Sequence, residues 1–103
     1  PSAGEALARH FAGLRLHLVL GMLANKDARA LLEPLEPNLA SITAVPVPGH
    51  EFHRAEAFGP DVHAARNTRD ALSALPDDGL PVLIAGSLYL AGEVLRLNDE
   101  LPD

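Results

Sequence analysis

Leu14, Leu16, Leu18 and Leu20 alternate with Arg15, His17 and Val19. A period-two alternation that grows more apolar toward its end predicts a strand over 15–21. On either side the spacing changes. Ala3, Leu7, Phe11 and Leu14 recur at helical spacing behind Ser2-Ala3-Gly4-Glu5, which has the S-x-x-E form of a capping box. In such a box the hydroxyl and the carboxylate each satisfy an orphan backbone N–H. A helix over 3–12 follows, with Gly13 able to end it in a left-handed conformation. Beyond the strand, Gly21 loosens the exit, and Asn25 is placed to cap a second helix with Asp27 in its first turn. Ala28, Leu31, Leu32 and Leu35 form the buried stripe of that helix, and Pro34 and Pro37 end it.

Ser41 to Val47 is a second short β-rich run, stopped by Pro46 and Pro48. Residues 48–60, PGHEFHRAEAFGP, form a long polar loop with room for one helical turn. Loops of this kind often carry function. Val62 to Arg66 reads equally as a short strand or an extended loop. Thr68 is placed to cap a helix with Ala71, Leu72 and Leu75 inward, and Pro76-Asp77-Asp78-Gly79 is a turn. Residues 81–86 are a third strand, and a final helix runs from about Leu88 to Leu97 with Leu88, Ala91, Val94 and Leu95 on one face. Asn98 to Asp103 read as a fraying acidic tail. Helices that alternate with strands in this way imply right-handed crossovers and a mostly parallel sheet. The sequence has no internal repeat and no low-complexity segment.

The length of 103 residues suits one domain with one core. Hydrophobic residues make up 48% and aromatics only 4%, so the core is aliphatic, as helices packed on a parallel sheet require. A net charge of −6 argues against nucleic acid as a partner, and the scattered Lys and Arg form no run for anionic lipid. The chain has no cysteine, which excludes disulfides and cysteine-based zinc sites and fits a cytoplasmic protein. No apolar run approaches the roughly 20 residues that span a bilayer, and no signal peptide is apparent. The chain begins at Pro1 rather than Met, which suggests a piece of a longer protein.

The densest chemistry lies in Val82–Arg96: a buried strand, a Gly86-Ser87 turn, then an amphipathic helix. Ligands of open α/β sheets sit at the carboxyl ends of strands, often against a helix N-terminus. Ser87 stands at that junction. It reads either as a plain helix cap or as a hydroxyl that, with free N–H groups, holds a carboxylate or phosphate. It is no hydrolase nucleophile, because G-x-S-x-G is absent. His50 and His53 lie three apart, a spacing zinc sites use. With Glu51 and His63 they lack a second ligand pair, so no metal is expected. Solvated loop histidines, or hydrogen bonding to a polar substrate, fit better. Arg54 suits a two-pronged grip on a carboxylate, and a surface pair with Glu51 or Glu56 is the plainer alternative. Gly21 to Asp27 lies at another strand-to-helix junction but is no phosphate loop, because G-x-x-x-x-G-K-S/T is missing, as is G-x-G-x-x-G. The residues alone therefore define a small α/β domain with a binding edge around Ser87, Asn25, Lys26, Asp27 and Arg54.

Two of these segments also resemble a known family. Gly21-Met22-Leu23-Ala24-Asn25-Lys26-Asp27 is similar to the G-M-L-x-D/N-K-D motif of folylpolyglutamate and dihydrofolate synthases. Gly86-Ser87-Leu88-Tyr89-Leu90-Ala91-Gly92-Glu93 is similar to that family's G-S-L-Y-L-x-G-E motif. Between them, Val45-Pro46-Val47-Pro48-Gly49-His50 resembles the V-P-x-P-G-H form of some bacterial members. The segments occur in the family's order, and the resemblance covers nearly the whole chain. It matches only the smaller C-terminal domain of these enzymes, which belong with the Mur ligases. The family's D-G-A-H-N-P motif would end at Pro1.

The resemblance implies a Rossmann-like, mostly parallel sheet flanked by helices, of the Mur ligase C-terminal type and lacking its first strand. It implies that residues 1–103 are one such domain of a larger two-domain enzyme. The family's reaction is ATP-dependent: a folate or dihydropteroate carboxylate becomes an acyl phosphate, and the amino group of L-glutamate attacks it. An N-terminal P-loop domain supplies ATP and magnesium, and the C-terminal domain closes over the site and shields the intermediate from water. On matching positions, Ser87 would bind glutamate or lie near the reaction centre, and Arg54, followed by Ala55, would contact a carboxylate. His50 and His53 would join them in binding substrate, and Asn25, Lys26 and Asp27 would form a loop near the active site. The isolated piece would hold no ATP, magnesium or catalytic residue of its own and would be inactive. Another Mur-like amino-acid ligase, or a non-catalytic Rossmann-like binding module, are the alternatives.

Overall fold

The leucine alternation forms a strand, β1 (Leu16–Gly21), and every residue of it is buried. The computed structural model describes residues 3–86 and 96–97. β1 lies at the centre of a five-stranded sheet. It is flanked in parallel by β2 (Leu39–Ala44) and by β4 (Val82–Gly86). β3 (His63–Ala64) continues the parallel sheet beyond β2, and β5 (Arg96–Leu97) lies antiparallel on β4. The order is therefore β3-β2-β1-β4-β5. This is the α/β, Rossmann-like sheet expected from the alternation of elements.

Both faces of β1 are covered, which is why its second face holds no solvent-exposed side chain. Leu16, Leu18 and Leu20 pack against Leu7 of α1 (Ala3–His10), Phe11 in the turn that follows it, and Leu31, Leu32 and Leu35 of α2 (Ala28–Leu35). Val19, on the opposite face, packs with Ala71 and Leu72 of α4 (Thr68–Ala74) and with Leu75. A three-layer arrangement suits a parallel sheet, whose crossovers place helices on its faces.

His17 shares the α4 side of β1 and is only 4% exposed. Its Nε2 lies 2.9 Å from Asp78 Oδ2 and its Nδ1 lies 2.7 Å from Ser41 Oγ. A carboxylate only accepts, so Nε2 carries the proton, and in the neutral ring Nδ1 accepts from the Ser41 hydroxyl. The imidazole thus ties β1, β2 and the turn before β4 into one unit. Asp78 Oδ1 also accepts from the Leu80 N–H at 3.0 Å. That backbone bond, then His17, holds the Asp78 carboxyl below its ordinary value of 3.8. A carboxyl depressed on folding adds stability above its unfolded pKa and loses it as pH falls through the folded value. Asp78→Asn is therefore expected to destabilise the fold more at pH 7 than at pH 2. Urea unfolding at both pH values checks this, and an equal penalty at both would refute it.

Several element boundaries differ from the sequence expectation. Helix α1 ends before Leu14, which is 51% exposed rather than part of its buried stripe, because Gly13 turns the chain at φ 81°. Ser2, the expected cap, lies outside the described residues. Asp27, not Asn25, caps α2: its carboxylate accepts from the N–H groups of Arg29 and Ala30. A turn closed by the Lys26 N–H on the Leu23 carbonyl, 3.0 Å, puts Asn25 too far upstream. Pro34 sits inside α2 rather than ending it, and a 3₁₀ turn at Glu36–Asn38 absorbs Pro37. Asn67, not Thr68, caps α4 through Asp70 N–H at 2.8 Å. β2 starts two residues earlier than read and ends before its prolines. Residues 88–95 of the expected last helix lie outside the described residues, as does the 98–103 tail. At Arg96–Leu97 the chain is a strand paired with Ile84 and Leu83, so the helix does not reach that point.

Candidate functional site

The chain runs β1 to β2 to β3 outward on one side, then returns to place β4 on the other side of β1. The topological switch point therefore lies between β1 and β4, where ligands of open α/β sheets bind beyond the strand ends. In register there, Gly21 pairs with Gly86. The sheet thus brings together the ends of two segments that are 65 positions apart in sequence. Gly21 also has a packing reason: a Cβ there would sit 3.3 Å from a Val47 methyl and 3.4 Å from a Val45 methyl. The chain leaving β2 presses directly on the end of β1.

Beyond Gly21, the 22–27 turn and the 50–54 loop close on each other. Leu23 and Phe52 form an isolated antiparallel bridge. The Ala24 N–H donates to the Glu51 carbonyl at 2.9 Å, and the His53 N–H donates to the Met22 carbonyl at 2.8 Å. His53 Nε2 then donates to the Lys26 carbonyl at 2.7 Å, while its ring meets Phe58 edge-on at 5.6 Å. His53 is accordingly a strut between the two loops, with one ring nitrogen committed to the backbone. Neither periodicity nor motif spacing could show that partner, because it is a carbonyl 27 positions away.

The remaining site residues fall around this junction. His50 is exposed and, with Leu23, Ala24, Asn25 and Glu51, lines a cavity of about 270 Å³. Lys26 and Asp27 are exposed, and Asp27 is occupied as the cap of α2. Arg54 immediately precedes α3 (Ala55–Phe58), the helical turn foreseen in the polar loop, and Ala55 and Phe58 bury that turn on the core. The Arg54 guanidinium carbon lies 5.7 Å from the centroid of the Phe52 ring. Among the described residues Arg54 makes no ion pair with Glu51 or Glu56, contrary to the plainer reading of it. Ser87 lies outside the described residues, one position past Gly86.

A second cavity, of about 370 Å³, opens beyond the ends of β2 and β3 and is lined by Arg54, His53 and Arg66 among others. Arg66 lines this cavity, a placement that sequence reading missed. It sits in what read as either strand or loop, and only the pairing of β3 with β2 carries it to this edge. No group of three or more His, Cys, Asp or Glu that could hold a metal occurs among the described residues. Within the same residues, no helix is long and apolar enough to cross a membrane.

The chain is similar to a folylpolyglutamate synthase of Lacticaseibacillus casei, with 36% identity over 84 residues. The match covers 75% of this chain and 19% of that protein, so the chain spans about a fifth of the relative's length. No protein-family profile matches it. No solved structure matches it.

Proposed function

We propose that this chain is the C-terminal domain of an ATP-dependent amide ligase that joins L-glutamate to a folate-type carboxylate, dihydropteroate or a folylpolyglutamate. The observation that carries the reading is the meeting of the Gly21–Asp27 segment with Gly86 and the 50–54 loop at the sheet's switch point. Likeness to a folylpolyglutamate synthase over most of the chain supports it. A binding edge of this kind suits positioning, which lowers a barrier by holding reactants in line.

The described residues do not fit magnesium or the phosphates of ATP. They have neither a cluster of metal-binding side chains nor a phosphate loop. On this reading both belong to a P-loop domain elsewhere in the protein, and no chemical step is assigned to them here. This chain's own part is to hold the amino acid. Arg54, braced on Phe52 and without a carboxylate partner among the described residues, offers its guanidinium fork to a carboxylate. Ser87, the residue after Gly86 in sequence, is the hydroxyl assigned to the same substrate. His53 fixes the loop that carries Arg54, and His50 and Asn25 border the adjoining cavity.

In the protein that carries this chain, Ser87→Ala is expected to raise the KM for L-glutamate about ten-fold or more while leaving the KM for ATP within about two-fold, as loss of one polar contact to a charged group would do. Steady-state kinetics with each substrate varied in turn makes the comparison. Unchanged glutamate kinetics would remove Ser87 from the site.

A further inference from the structure

The cavity beyond β2 and β3 has a charge pattern that runs against the rest of the chain. The whole sequence holds 8 Lys and Arg against 14 Asp and Glu. The cavity's charged lining is instead two arginines, Arg54 and Arg66, with one carboxylate, Glu56, over an apolar floor that includes Ala44, Val45, Ala55 and Ala65. Its volume of about 370 Å³ lies at the small end of small-molecule sites, which run from roughly 300 to 1,000 Å³.

Arg54 and Glu56 make no ion pair among the described residues. Among the same residues Arg66 is paired only with Asp70, at 3.3 Å, and its side chain is 90% exposed. Such surface pairs hold weakly and exchange readily for a better-placed anion. Two guanidinium groups and one carboxylate complement a ligand that carries two carboxylates and one ammonium.

We propose that Arg54 and Arg66 together form a two-carboxylate clamp, with Glu56 receiving the ammonium, so that this cavity selects an amino acid with an acidic side chain over its neutral amide. This rests on the reading of this edge as the amino-acid side of a ligase and adds to it the residues that set selectivity. Arg66, two residues past the end of β3, reads the second carboxylate. A neutral side-chain amide offers no charge to it and leaves the guanidinium with Asp70.

Isothermal titration of the protein that carries this chain, with L-glutamate and L-glutamine as the probes, tests the assignment. The wild type is expected to prefer L-glutamate. Arg66→Gln weakens L-glutamate about ten-fold, the size of one lost charge-assisted contact, and leaves L-glutamine unchanged. Arg66→Lys recovers part of the preference. Because Arg66 is exposed, these substitutions leave the fold intact, which circular dichroism checks. Equal L-glutamate affinity in wild type and Arg66→Gln overturns the clamp. ATP-dependent transfer of glutamate by the wild type is measured alongside. Transfer that persists while Arg66→Gln binds normally sinks the clamp alone. Selective, Arg66-dependent binding without transfer supports the clamp and sinks the ligase reading.

Discussion

Gly4→Ala is expected to destabilise the fold by about 2 kcal/mol, even though alanine is the better helix former. A Cβ at Gly4 would lie 2.4 Å from the Leu31 carbonyl oxygen and 2.8 Å from that of Ala30. Both are backbone atoms of α2, so no side chain can swing away. Pro34 contributes to this approach: it lacks the N–H that would bond the Ala30 carbonyl, which is left turned toward α1. Helix α2 has little room to retreat, because Leu31 and Leu32 are each 4% exposed and Leu35 is fully buried against the sheet. Alanine gains roughly 1 kcal/mol in helix propensity over glycine. Overpacking of a well-filled contact costs about 1–3 kcal/mol, and a clash of backbone on Cβ at this distance belongs at the top of that range or above it. The clash wins. Urea unfolding of the 103-residue chain measures the difference, and a Gly4→Ala variant as stable as the parent would show that α1 and α2 do not approach this closely.

Asn38→Leu is expected to cost about 2–4 kcal/mol. Asn38 is 8% exposed, and its amide nitrogen donates to two carbonyls, Phe11 at 2.7 Å and Leu14 at 2.9 Å. One side chain thereby closes the end of α1 and the entry to β1. Leucine keeps the branched shape but is bulkier, so crowding adds to the main cost, which is that both carbonyls lose their donor. Each buried polar group left unpaired costs about 1–3 kcal/mol. Asn38→Asp is expected to be worse at neutral pH, since a carboxylate would face two carbonyl oxygens. Equilibrium unfolding of both variants tests this, and a loss below about 0.5 kcal/mol for Asn38→Leu would contradict the role given to the amide.

These two residues also mark what the sequence could and could not disclose. The leucine period in 14–20 specified β1, and the apolar stripe Ala28, Leu31, Leu32, Leu35 specified α2, because burial follows period directly. Gly13 and the Pro76–Gly79 turn were legible from the backbone angles those residues favour, and both Gly13 and Gly79 take positive φ. Asn38, by contrast, sits in Glu-Pro-Asn and reads locally as turn chemistry. Its partners are 24 and 27 positions away. His17 looked like the polar side of an alternating strand, yet it is buried between Ser41 and Asp78, which lie 24 and 61 positions off. β3 is not legible in the sequence because a two-residue strand has no period to read. In the candidate site, the motif segments and Arg54 were visible as residue types. The strut role of His53 and the placement of Arg66 came only with the sheet and loop pairing.

On the proposed reading, this edge serves glutamate ligation to a folate-type acceptor. Its most direct test is the purified protein that carries this chain, supplied with ATP, magnesium, labelled L-glutamate and either dihydropteroate or tetrahydrofolate. Label is expected in the pterin product only when ATP is present, with one ADP released per glutamate added. A folded, ATP-binding protein that incorporates no glutamate into either acceptor would contradict it.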